Sequence, residues 1–154
     1  LREWKYVYDQ EDWYPPLTLA LEGVDAAQAS WRPPGEAANT IWENVSHLLF
    51  YKERLLHRIA GTPLPHEDAT NEETFIPKGG AGDEEAWQAT LKRMEEVHLR
   101  IQKTLSALTD EELLRPIPTK TILDSAMSLV LHDAYHTGQI VQLRKLQGSW
   151  PAQR

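Results

Sequence analysis

Between positions 87 and 108, Trp87, Leu91, Met94, His98, Ile101, Leu105 and Leu108 follow one another at alternating steps of four and three. A helix turns about 100° per residue, so these steps return to one face and draw the buried seam of a bundle helix. A strand, whose faces alternate every second residue, cannot sort the same positions onto one side. Asp83, Glu84 and Glu85 stand just ahead of the stripe, as a cap and an acidic first turn should. One long helix is therefore secure, and the rest of the chain can be read outward from it.

Its neighbours are set off by proline and glycine. The opening stretch is rich in Trp and Tyr and runs into Tyr14-Pro15-Pro16, which predicts a first helix from about Asp12 or Trp13 to about Ala29. Trp31-Arg32-Pro33-Pro34-Gly35 breaks it. Asn39-Thr40 precede a second helix of about twenty residues, stopped by Gly61 with Pro63 and Pro65 behind it. Residues 61 to 82 hold three Pro and four Gly and read as a long loop, a length often found in functional lids. After a short turn at Thr109 to Glu112 and the breakers Pro116 and Pro118, a last helix runs from about Thr121 to Gln147, ended by Gly148. No strand alternation persists and no internal repeat is found. Four sizeable helices, each with an apolar side, predict an all-α protein, an up-and-down four-helix bundle forming a single domain over residues 1 to 154.

Composition narrows the partners. A net charge of -7 disfavours nucleic acid, whose phosphates call for a basic face. No apolar run approaches the roughly 18 residues that a membrane span needs. With no leader pattern at its start, the expected compartment is the cytoplasm. Cysteine is absent, so thiolate metal sites and internal thiol nucleophiles are excluded.

The chemistry gathers at His132 and His136. Two His four apart share a helical face, with Cβ atoms roughly 5–6 Å apart, and two imidazoles so placed can converge on one ion at about 2.0–2.1 Å. Ser125, Leu129, Gln139 and Leu143 lie on that same face, so the pair points into the bundle. A His-x-x-x-His pair by itself is a weak signal, but leaving two imidazoles unpaired in an apolar setting is costly. After His136 the chain has no Asp, Glu or His, so a third ligand must come from upstream. His47 is the strongest candidate, placed mid-way along the second helix beside the apolar arc of Ile41, Val45, Leu48, Leu55 and Ile59. By spacing alone a hydrogen-bonded core His is an equal reading. Glu43, Asn44, Tyr51 and Arg54 share its side of the wheel.

Thr40-x6-His47 after Trp31-Arg32-Pro33, together with His132-x3-His136-x-Gly138-Gln139-Ile140, resembles the DinB-like (YfiT-like) superfamily, and the likeness spans nearly the whole chain. The resemblance implies a four-helix bundle with a divalent metal on three His, which map onto His47, His132 and His136. It also implies thiol-dependent chemistry, since some relatives transfer bacillithiol or mycothiol to an electrophile and others isomerise maleylpyruvate with such a thiol. Zinc or nickel is the expected metal. Three imidazoles leave coordination positions open, as catalytic sites do. The expected function is transfer of a small thiol to small electrophiles. A metal-dependent hydrolase and a non-catalytic metal-binding sensor are the alternatives. His132-Asp133-x-x-His136 also resembles the His-Glu-x-x-His of zinc proteases, but Asp is shorter than the Glu base and no downstream ligand exists.

Glu43, Tyr51 and Arg54 are candidates for orienting the substrate, from wheel geometry. His98 reads as a packed, hydrogen-bonded core His, His57 as solvated and His66 as an exposed loop residue. Asp133, about 100° round the helix from His132, reads as a surface charge. Trp4, Trp13, Trp31 and Trp87 read as core or interface aromatics. Leu123, Ala126, Val130, Ala134 and Val141 form an apolar strip opposite the His face and predict a homodimer.

Overall fold

Three helix starts in this chain share one chemistry, a threonine cap. Thr40 accepts a hydrogen bond from the backbone N–H of Glu43, and the Glu43 carboxylate accepts in return from the N–H of Thr40, opening α4 (Ile41–Ala60). Thr109 and Glu112 repeat that box ahead of α6 (Asp110–Leu113), and Thr121 caps α7 (Ile122–Gln147) through the N–H of Asp124. Gly61 and Gly148 end α4 and α7 at φ of 66° and 71°, a left-handed turn that a side chain would strain. The long helix read from the four–three spacing is α5 (Glu84–Ser106). Asp83 caps the turn before it instead, accepting from the N–H of Gly80 at 2.8 Å.

The computed structural model describes residues 2–35 and 37–152. Short helices α1 (Arg2–Tyr6), α2 (Leu17–Leu21) and α3 (Ala26–Ser30) precede α4, and a 3-10 turn at Glu72–Phe75 lies between α4 and α5. Among the described residues there is no strand, and the expected all-helical bundle is observed. The first limb differs from the single helix expected over residues 12 to 29. Gly23 turns the chain at a φ of 70°, and Asp25 with Gln28 forms a fresh capping box, so the limb restarts as α3. Trp13, expected to be covered, is 94% exposed, whereas Trp4 and Trp87 are buried and Trp31 is partly so.

The limbs pack in an order set by the long 61–82 connection. Trp42 meets Trp87 edge-on at 5.3 Å between ring centroids and donates from Nε1 to Thr90, and further down Glu53 pairs with Arg93. Contacts that advance together on both helices mean that α4 and α5 run parallel. Asn44 faces His136 while Lys52 faces Asp133, and Arg115, just ahead of α7, reaches the carbonyl of Ile59. α4 and α7 are therefore antiparallel, whereas a strictly alternating up-and-down order would make these second and fourth limbs parallel. The connection carries the chain back along the bundle before α5 begins, and long crossovers of this kind let consecutive helices run parallel. Its return lies close on α4. A Cβ built on Gly79 would stand 2.8 Å from the Trp42 ring and 3.0 and 3.1 Å from the Cβ atoms of Asp83 and Ala86.

Apolar burial falls into two clusters. One gathers Leu17, Ala29, Ile41, Trp42, Leu48, Trp87, Met94 and Ile140; the other gathers Trp4, Val7, Leu55, Ile101, Ile122, Leu129 and Val130. Between them lies a layer of buried polar side chains: His47, Lys52, His98, Asp133, His136 and Thr137. Bundle cores are ordinarily apolar throughout, so this layer is where chemistry can be held.

Candidate metal centre

His47 on α4 and His132 and His136 on α7 come together in that polar layer. One ring nitrogen of each lies within 4.8 Å of the others, and His47 Nε2 stands 2.9 Å from His132 Nε2. Three ligands on a tetrahedral ion would be separated by about 3.3 Å, given metal–nitrogen bonds near 2.0–2.1 Å. The observed spacings bracket that value, and the donor set of three imidazoles suits a divalent ion, so the residues present could hold one. His47 is nearly buried, as is His136, and His132 is partly covered.

The surroundings favour neutral rings. The His47 pKa is lowered to about 3, first by burial and then by the neighbouring His136 and His132. His136 is lowered to about 4, again by burial first and by His132 next, with the Gln139 side chain acting the other way by favouring the protonated ring. His132 is lowered by burial and by the Lys52 charge. A neutral imidazole keeps a lone pair for a metal at any physiological pH.

Each ring has distinct company. His47 Nδ1 lies 2.6 Å from Thr74 Oγ1, and Phe75 stacks on the His47 ring at 3.9 Å. Both residues belong to the 3-10 turn, so the long connection folds over the site as a cover. His136 Nδ1 lies 2.8 Å from Asn44 Oδ1. His132 Nδ1 is buried without a hydrogen-bond partner. Tyr51 sets its ring edge-on to His47 at 4.9 Å and to His132 at 5.3 Å. Of the candidates for orienting substrate, Tyr51 is thus at the site. The Glu43 carboxylate is held at the start of α4 by the Thr40 N–H and by Arg32, and Arg54 donates to the carbonyl of Glu67 at 2.9 Å.

Behind the His group lies a second polar cluster. Lys52 Nζ and Asp133 Oδ2 pair at 2.5 Å with both side chains wholly buried, which corrects the reading of Asp133 as a surface charge. The 100° step from His132 turns it towards α4 and α5 rather than towards water, because α7 is covered on more than one side. Burial pushes the Asp133 carboxyl up while Lys52 pulls it down. Lys52 Nζ also lies 3.3 Å from His98 Nδ1 and 4.5 Å from the centroid of the Trp4 ring. His98 is sandwiched between Tyr8 and Trp4, a packed core His as expected. His57 bonds Thr62 at 2.8 Å near the surface. His66 is exposed on the wall of a groove of about 1170 Å³ between α4, α5 and the long connection, on the other flank of α4 from His132.

Sequence reasoning brought Asn44 beside His47 but did not pair it with His136, and it missed Lys52, Thr74 and Phe75. Lys52 carried no signal, since a lysine in an amphipathic helix is ordinarily solvated. Thr74 and Phe75 sit in a stretch without period, where spacing says nothing of position.

No curated protein and no solved structure matches the chain with significance. The family model of the DinB superfamily matches residues 16–140. That span contains His47, His132 and His136 and most of the chain, and on it the protein belongs to the DinB superfamily.

Proposed function

We propose that this chain is a metal-dependent enzyme whose His47, His132 and His136 hold one divalent ion, zinc or nickel, and that it transfers a low-molecular-weight thiol of the bacillithiol type to small electrophiles. The observation that supports this most is the convergence of three neutral, largely buried imidazoles in a chain that carries no cysteine. An ion held there supplies Lewis acidity that favours loss of the thiol proton at neutral pH. In the transfer a carbon–sulfur bond forms as the bond from carbon to the leaving group breaks, and the thiol proton departs with that group; with an epoxide it ends on the opened oxygen.

The chain's own side chains do the positioning. His47, His132 and His136 fix the ion, and Tyr51 and Phe75 wall it with aromatic rings that keep bulk water away. Tyr51 is the residue best placed to orient a substrate. Glu43 and Arg54 belong to the same proposal, each acting from a position where it now bonds Thr40 and Arg32 or Glu67. The reading includes a small-molecule substrate, a cytoplasmic setting and a homodimer. Among the described residues no helix is long and apolar enough to cross a membrane.

Protein purified without a His tag should contain one divalent ion per chain by elemental analysis, and His47→Ala or His136→Ala should lower that content sharply. Metal-loaded protein should consume an epoxide or a chloronitroaromatic only when bacillithiol or a surrogate thiol is added, and His132→Ala should abolish the reaction. Unchanged metal content in both His variants overturns the site. Ester or amide cleavage that proceeds equally without thiol overturns the transferase in favour of a hydrolase.

A further inference from the structure

The ring nitrogens that face away from the His cluster carry information that spacing cannot. Thr74 Oγ1 lies 2.6 Å from the carbonyl oxygen of Asn71 and 2.6 Å from His47 Nδ1. A carbonyl only accepts, so the single hydroxyl proton of Thr74 points to Asn71, and its oxygen is left to accept from His47. His47 therefore carries its proton on Nδ1. A second chain of bonds has the same form. Asn44 Nδ2 donates to the carbonyl of Thr40 at 2.8 Å, which turns Oδ1 towards His136 Nδ1 at 2.8 Å. An amide oxygen only accepts, so His136 also carries its proton on Nδ1.

Two chains, from different parts of the sequence and each anchored on a backbone carbonyl, thus dictate the same tautomer on two rings. In each ring that leaves the lone pair on Nε2. For His47 this is the nitrogen 2.9 Å from His132 Nε2. Neither Thr74 nor Asn44 needs a histidine to settle its own bond to the backbone, so each is oriented independently of the ring it meets. Free histidine prefers the opposite tautomer, with the proton on Nε2, and that form would present an N–H to an ion.

We infer that Thr74 and Asn44 are positioning residues which hold His47 and His136 in the Nδ1–H tautomer, so that both Nε2 lone pairs are presented to a divalent ion. The inference rests on the metal-site reading above and assigns a task to the 3-10 turn of the long connection: Thr74 reaches His47 from a segment with no ligand of its own. Partners of this kind typically change metal affinity by about 10–100-fold when they are removed. His132, whose Nδ1 has no such partner, is the ligand left unaided.

Two measurements test this, one of them without any metal. Imidazole ¹⁵N spectra of the metal-free protein should show protonated Nδ1 and bare Nε2 for both His47 and His136. Thr74→Val should shift His47 towards the Nε2–H form and leave His136 unchanged, Asn44→Leu should do the reverse, and Thr74→Ser should restore the native pattern. Titration with Co²⁺ or Zn²⁺ should then give Thr74→Val an affinity about 10–100-fold weaker than native, with Thr74→Ser close to native. The inference is overturned if native His47 carries its proton on Nε2, or if Thr74→Val keeps both tautomer and affinity. A native protein that takes up neither ion while showing both Nδ1–H tautomers would overturn the metal site and bear out the tautomer assignment.

Discussion

At the scale of single residues, the informative side chains are the buried polar ones, and they divide by whether a partner was visible in the sequence. The three His announced themselves through a four-residue step and an upstream match on another helix. Lys52 and Asp133 did not, because their meaning lies in each other: two charges leave water together only when the fold brings them within a hydrogen bond. Removing one leaves the other charged and unpaired. Lys52→Met should therefore lower unfolding stability by about 3–5 kcal/mol in urea denaturation, and pairing it with Asp133→Leu should recover most of that loss; equal losses in the single and double variants would contradict the pair. His98 supplies a second prediction. Burial, and then the Lys52 charge, holds its pKa at about 2 against an ordinary 6.5. The unfolded chain thus binds a proton that the folded one refuses, so stability is complete above about pH 6.5 and falls as the pH drops towards 2. Each imidazole of this kind contributes a slope of up to about 1.4 kcal/mol per pH unit, and His98→Gln should flatten the fall in melting temperature between pH 6.5 and 4. An unchanged pH profile in that variant would refute the assignment.

At the scale of elements, α4, α5 and α7 were legible because each combines a period with terminators that only a helix end needs: Thr40 and Gly61 for α4, Thr121 and Gly148 for α7. The first limb was not. Its break depends on Gly23 turning left-handed and on Asp25 recapping, and both residues are tolerated in a longer helix at modest cost. The long connection was legible as a loop and as a candidate lid, yet its contribution to the site, Thr74 and Phe75, comes from a 3-10 turn with no periodic mark. The side of α7 was misjudged for a related reason. Ala126 and Val130, assigned to an outer strip, are buried against Trp4, Val7 and Ile101, because the aromatic N-terminal stretch covers that flank. An amphipathic pattern tells which residues leave water, not which neighbour covers them.

At the scale of the whole molecule, that covering leaves a different row outside. Leu123, Met127, Leu131 and Tyr135 follow at steps of four, with exposures of 41%, 41%, 69% and 64%. Gly138 continues the row with nothing near its absent side chain, and no exposed charge interrupts α7 between Asp124 and Lys145. A charge-free face on a chain of net charge -7 suits a second copy of itself, since two such rows meet without repulsion. Light scattering should give a dimeric mass, and Leu131→Glu with Tyr135→Glu should give a monomer that keeps its helical content. A monomeric native protein would refute the dimer. The His group and the cover over it depend on something smaller still. Gly79 decides how near the returning chain can lie to α4, and it does so by having nothing to offer. Any side chain there would force the Trp42 ring or the backbone leading into α5 to shift, four or five residues along the chain from Phe75 and Thr74. A mutation that adds only a methyl group at this clearance would thus act on the segment that carries the cover, without touching a histidine.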